Sequence, residues 1–536
     1  MKSRDPSSEQ LQSIFNLYTH GKLQQALSES SQMLERFPNS VVLYNIAGAS
    51  NAGLMLFDAA IDSYKQALII KPDYADAYYN MGIALKDKGD LEAAIDSYKQ
   101  ALKIKPDYAD AYNNMGIALK DKGDPEAAID SYKKALKIKP DYADAYNNMG
   151  NALKDKGDLE AAIGSYKKAL KIKPDYADTY NNMGIALKDK GDLEAAIDSY
   201  KKALKIKPDY ADAYNNMGIT LEDKGDPEAA IDSYKQALKI EPNYAKAKAN
   251  LVKLLTTYTP QKENQNLIVT VNEEIRKIDI KDSTSKIISD DQAVNLFSKS
   301  EDCISIFGLE LRTELSQIYR RNSFDFNCRR HMSIFDKHDI IPEFCFGCYK
   351  VQVEPRSIIE LIKLFIVFDQ LELNENNTRK CMVELRPEIA GFYKGLIYCS
   401  GLKQANQIAE HLDTIVKQSI GPGLTSKVKR GCSEYPISFP SYKEINNSGP
   451  QLMNYIEEWR VIEESHDRKK PIHTNEVIRI SLSGLNLSDV LIIRNWIDYA
   501  KGIEDPSADL LNQNTVYYQD IYNKAKARLD VFNISY

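Results

Sequence analysis

Two short spacings in the second half of the chain bring soft metal ligands together. Cys328 and His331 stand three apart, which on a helix sets both on one face, and Cys345 and Cys348 form a Cys-x-x-Cys pair shortly downstream. Together they supply four ligands, enough for a closed tetrahedral zinc site, and the spacing within each pair suits one. On a regular strand Cys345 and Cys348 would face opposite sides, so a shared ion needs a turn at Phe346-Gly347, which the glycine permits. A redox pair and plain core cysteines are the competing readings, because cysteine is often buried as a small apolar group. Cys432 follows Lys427, Lys429 and Arg430, cations that lower a thiol pKa. No partner base is identifiable for it, and a cysteine ending a buried strand is the alternative.

A different chemistry recurs in the first half. Asn80, Asn114, Asn148, Asn182 and Asn216 stand at one offset in five near-identical blocks of 34 residues that run over residues 75–244. An amide side chain gives one hydrogen bond and takes another, so a row of them can pair with a peptide backbone without reading its side chains. Asparagines that bond to a neighbouring helix, or repeats that form a spacer of set length, would leave the same pattern.

A 34-residue period with small residues at fixed offsets marks a two-helix solenoid, in which each unit has two apolar faces that only its neighbours cover. In the block from Ala75, Tyr78, Met81, Gly82 and Leu85 share one helical face, and Ala94, Tyr98 and Ala101 share the face of a second helix. Gly82 and Ala94 are small where two backbones approach, beside Tyr78 and Tyr98. Gly89 suits the end of the first helix, Asp90 caps the second, and Pro106 stops it. Pro125 and Pro227 directly follow a capping aspartate, where the missing N–H costs nothing.

This pattern resembles the tetratricopeptide repeat, which carries aromatic, Leu-Gly, Ala, aromatic, Ala and Pro at these offsets. The resemblance implies an α-solenoid, a right-handed superhelix whose concave wall is lined mainly by first helices. Counting outwards gives seven units plus a closing helix over residues 7–257, the first being an atypical cap that keeps only Leu17, Ala26 and Pro38 clearly. In tetratricopeptide proteins that glycosylate other proteins, a similar asparagine ladder holds extended client peptides. Gln12 and Ile46 occupy the equivalent places in the first two units, so a ladder here has five rungs.

After the array, residues 258–326 read as linker and bracing helices: a short helix over 271–278, a linker over 281–286 and two helices over 290–321. Residues 327–435 read as a cysteine-containing α/β domain with strands near 348–354, 380–386, 393–399 and 427–432 and helices near 357–371 and 403–419. The order βαββαβ predicts a ferredoxin-like sandwich, an antiparallel sheet with two helices on one face. Residues 436–536 read as a mostly helical extension, with helices over 451–464 and 488–500 and with Trp459 and Trp496 as packing anchors.

Composition narrows the partners. The 536 residues are 43% hydrophobic and 27% charged with a net charge of -6, which gives no global pull towards nucleic acid or anionic membrane. The repeat lysines alternate with aspartates, as in Lys120, Asp121, Lys122 and Asp124, and form no one-sign stripe for a nucleic-acid backbone. No apolar stretch has the length to span a bilayer, and residues 1–10 lack the apolar core of a secretion signal, so a cytoplasmic location is expected. The leading expectation is a scaffold that captures client proteins or extended peptides in the repeat groove. The alternatives are a client-modifying enzyme, its activity in the C-terminal region, and a zinc-stabilised binding module. Against the enzyme, that region shows no pair of Rossmann-like halves for a nucleotide sugar.

Overall fold

The computed structural model describes residues 6–261, 266–280, 287–306, 308, 311–320, 328–387, 389–446, 451–469, 481–511 and 519–534. The chain divides into two compact units, Met1–Thr220 and Leu221–Tyr536.

The first unit is built from helix pairs, of which Ala109–Asp121 and Pro125–Ile138 are typical. Each is 13 or 14 residues long, too short to hold alone in water, so packing against neighbours supplies the stability. Chain punctuation fixes the boundaries. The Asp124 carboxylate accepts the Ala127 N–H at 3.0 Å, and Asp90, Asp158 and Asp192 cap their helices in the same way. Gly89 ends the helix Ala75–Lys88 in the left-handed region at φ 96°. Within the pairs from Val41 to Ile206 glycine meets tyrosine: a Cβ placed on Gly116 would lie 2.6 Å from the Tyr132 ring, and one on Gly82 2.6 Å from Tyr98. Both tyrosines are fully buried. The pairs Ser8–Thr19 with Leu23–Arg36 and Val41–Gly53 with Phe57–Ile70 precede the regular blocks.

The second unit begins with helices, among them Pro227–Ile240, Ala245–Leu254, Leu267–Arg276 and Asp290–Ile306. Its centre is a five-stranded antiparallel sheet of β1 (Gln317–Arg320), β2 (Tyr349–Val353), β3 (Arg379–Val383), β4 (Tyr393–Cys399) and β5 (Ser426–Arg430), in the order β1-β3-β4-β2-β5. From β2 to β5 the chain runs strand, helix Ile358–Gln370, strand, strand, helix Leu402–Ser419, strand. Both helices, with Leu487–Gly502, pack on one face of the sheet. Gly395 of β4 has no side chain where Leu364 presses on the sheet.

Several expectations shift. The second helix expected within 290–321 is strand β1, which pairs Gln317 with Met382 and buries Ile318 and Arg320. Arg320 pulls the strand inwards: its guanidinium bonds Asp369 at 2.6 Å and Asp489 at 2.5 Å, all three nearly fully buried. The helix expected over 451–464 is Trp459–Lys469, because the segment before it is drawn irregularly onto the core. There Gln451 accepts a hydrogen bond from Arg430, and Met453 packs beside Tyr435 and Tyr442. Helix Leu487–Gly502 is opened by Asn486 in a reciprocal capping box with Asp489. The linker expected over 281–286 lies outside the described residues.

Candidate functional site

Two places in the structure carry the candidate residues, one in each unit. In the first unit the five ladder asparagines are half-buried, and their amides join successive repeats. Asn148 Nδ2 donates to Asn113 Oδ1 at 3.1 Å, Asn182 to Asn147 at 3.2 Å and Asn216 to Asn181 at 3.0 Å. Asn80 donates to Asn45 at 3.1 Å, and Asn114 to the Tyr79 hydroxyl at 3.0 Å, because tyrosine stands there in place of the first asparagine of the pair. Asn113 returns a bond to Asn114 Oδ1 at 3.2 Å. Each rung is thus pinned by the repeat before it, with one amide hydrogen and part of its acceptor capacity left over.

In the second unit the four expected zinc ligands are not brought together. Among the described residues no three His, Cys, Asp or Glu side chains form a group that could hold a metal ion. Cys328 is exposed at the start of helix Cys328–His338, while His331 is buried and stacks on Phe344 with ring centroids 5.3 Å apart. The chain does turn at the Cys-x-x-Cys pair, through the 3-10 helix Glu343–Phe346. Cys345 faces the Tyr435 hydroxyl at 3.3 Å, and Cys348 packs against Gly431. Burial pushes the Cys348 thiol up to about 12. Cys432 packs into the same cluster, and the interaction between the two thiols lowers the Cys432 pKa and raises that of Cys345, so Cys345 is joined to a third cysteine instead.

Cys432 and Cys328 line a cavity of about 800 Å³ over the sheet face opposite the helices. The strands present an unusual set of side chains to it. One cross-strand row places Tyr398, Lys350 and Lys429 side by side, and the next places Lys380, Leu396 and Gln352. Lys394 and Met382 form a third. Two carboxylates serve the edge: Glu384 bonds Lys394 at 2.7 Å and Arg386 at 2.9 Å, and Glu434 bonds Arg386 at 2.7 Å. Burial raises the Glu384 pKa, but those two cations more than reverse the effect and hold it at about 2. Burial lowers Lys350, and burial with the nearby Lys350 and Arg386 charges brings Lys380 down to about 8.

The cysteines drew notice in the sequence by their spacing; the lysines did not. Their signal is Lys350, Lys380 and Lys394 at alternate positions in strands whose other face is apolar, a pattern that otherwise reads as a solvated sheet face.

The array belongs to the class of helical-repeat solenoids, and residues 57–244 match tetratricopeptide-repeat models. Five matches to "TPR repeat" cover 57–89, 84–123, 118–156, 150–191 and 186–225, and "Tetratricopeptide repeat" covers 211–244. The chain is therefore a tetratricopeptide-repeat protein over this stretch. Among solved structures, MamA is 33% identical, with 31% of this chain and 97% of MamA covered and a TM-score of 0.29. YrrB, described as a TPR protein with an unusual peptide-binding site, is 24% identical, with 35% and 98% covered and a TM-score of 0.31. No curated protein matches the chain. No described helix is long and apolar enough to cross a membrane.

Proposed function

We propose that the repeat unit captures an extended segment of a client protein along the wall of first helices, with the asparagine ladder holding the client backbone. The observation that carries this reading is the pinning of Asn80, Asn114, Asn148, Asn182 and Asn216 at one offset by interhelical bonds of 3.0 to 3.2 Å. Side chains so fixed lose little further entropy on binding, which favours recognition of a backbone. Near-identity from block to block suits a client whose sequence is weakly specified. The peptide-binding site in the description of YrrB agrees with this reading. Beside the array, the second unit is read as a ferredoxin-like α/β module, on the order β3-β4-β2-β5 with both crossover helices on one face.

The test is binding of extended, unstructured polypeptides to the intact chain, measured by fluorescence anisotropy well below its melting temperature. Replacing Asn114, Asn148 and Asn182 by alanine is expected to weaken binding at least tenfold. Unchanged affinity in that variant would leave the ladder as a bond between repeats and remove the reading. Client modification is the second reading, favoured by the cavity beside Cys432 in the second unit. It requires turnover of a captured client, which mass spectrometry of that client detects.

A further inference from the structure

We infer that the cavity over the sheet of the second unit is a binding site for a small phosphorylated organic molecule. Seven lysines and arginines line it against two carboxylates, Glu384 and Glu434, and both of these are already paired with cations. Of the other cations, Lys429 pairs with Glu354 at 3.3 Å, whereas Lys350 and Lys380 have no counter-ion among the described residues. Lys350 is 8% exposed and, among the described residues, makes no hydrogen bond or ion pair; its cross-strand neighbours are Tyr398 and Lys429. Among the described residues the Lys380 ammonium has only the Gln317 side-chain oxygen at 3.1 Å and the rings of Tyr319 and Tyr398 at 5.5 and 5.7 Å.

A buried ammonium without a counter-ion opposes folding, and two lysines that lack one on the same sheet face also repel each other. An anion between them reverses both effects. A phosphoryl group suits the geometry, since it brings up to two negative charges and three acceptor oxygens to ammonium donors arriving from β2 and β3. Inorganic phosphate would leave most of the space unfilled. Met332, Met382, Leu396, Ile389 and Tyr398 add apolar and aromatic wall to the same cavity, whose roughly 800 Å³ lies in the range of small-molecule sites. The ligand is therefore a phosphate ester with an organic body of about mononucleotide size. This inference does not depend on client capture by the repeats.

The experiment uses the full chain, with adenosine monophosphate, ribose 5-phosphate, inorganic phosphate and sulfate as probes in calorimetric titration and thermal melts. An organic phosphate is expected to bind and raise the melting temperature. Lys350→Met and Lys380→Met are each expected to weaken it tenfold or more, Lys350→Arg to keep affinity within a few-fold, and the exposed Lys103→Met to change nothing. Without ligand, Lys350→Met is expected to melt no lower than the wild type, because it removes an uncompensated charge; a lysine with a purely structural role would melt lower when replaced. If Lys350→Met does not fold, Lys380→Met with Lys350→Arg carries the comparison. Absence of binding by both organic phosphates, equal affinity for inorganic phosphate, or wild-type affinity in Lys380→Met would overturn the inference.

Discussion

The tyrosines buried between paired helices show how one side chain alters a repeat. The hydroxyls of Tyr98 and Tyr132 are buried without a hydrogen-bond partner, whereas the Tyr166 hydroxyl donates to Asn151 at 2.8 Å. Asn151 stands where other blocks carry isoleucine, as at Ile83 and Ile117. An orphaned buried hydroxyl gives up hydration and gains nothing, so Tyr132→Phe is expected to leave stability unchanged or raise it, while Tyr166→Phe lowers it by about 1 kcal/mol. Urea unfolding of the two variants, followed by circular dichroism, makes the comparison. A larger loss in Tyr132→Phe would mean that its hydroxyl has a role the packing does not show. The same distinction governs the sheet cavity, where Glu384 has its cations and Lys350 has no anion.

Among the elements, β1 depends most on distant partners. It is four residues long and among the described residues pairs only with β3, too little to order by itself. Arg320 ties it to helix Ile358–Gln370 through Asp369 and to helix Leu487–Gly502 through Asp489, and its guanidinium lies 4.8 Å from the Phe365 ring centre. The Trp496 indole adds a bond to the Ser316 carbonyl at 2.8 Å. Arg320→Met removes the cation that two buried carboxylates share and is expected to cost about 3–5 kcal/mol. Trp459 and Trp496 are the two tryptophans of the chain, so tryptophan fluorescence during urea unfolding follows this unit directly. A loss below about 1 kcal/mol would show that β1 is held by its ladder alone.

For the molecule as a whole, near-identity of the blocks makes the array modular. Deleting residues 143–176 removes one period and sets Asn182 one repeat after Asn113, the same kind of acceptor it now finds in Asn147. Nearest-neighbour contacts are then preserved in type, so the shortened chain is expected to fold with less helical signal and a melting temperature lower by a few degrees. Circular dichroism checks this. Loss of cooperative folding would show that the blocks are not interchangeable.

The sequence by itself determined the array. Its helix boundaries, caps, glycine-tyrosine contacts and period are local, recurring within 34 residues, and Asp124, Gly116 and Tyr132 do what their spacing implies. It also placed the four strands and two helices around the Cys-x-x-Cys pair, since each has its own apolar periodicity. Tertiary structure decided the rest. Strand β1 is too short to carry a pattern and exists because Arg320 finds two carboxylates from distant helices. The zinc tetrad rested on spacing within pairs, but bond formation depends on distances between pairs; Cys345 turns to Tyr435 and Cys432 instead. Lysines at alternate strand positions are the ordinary mark of a face in water. Only the segment around Cys432 and helix Cys328–His338, folding over that face, enclose Lys350 and make a cavity of it.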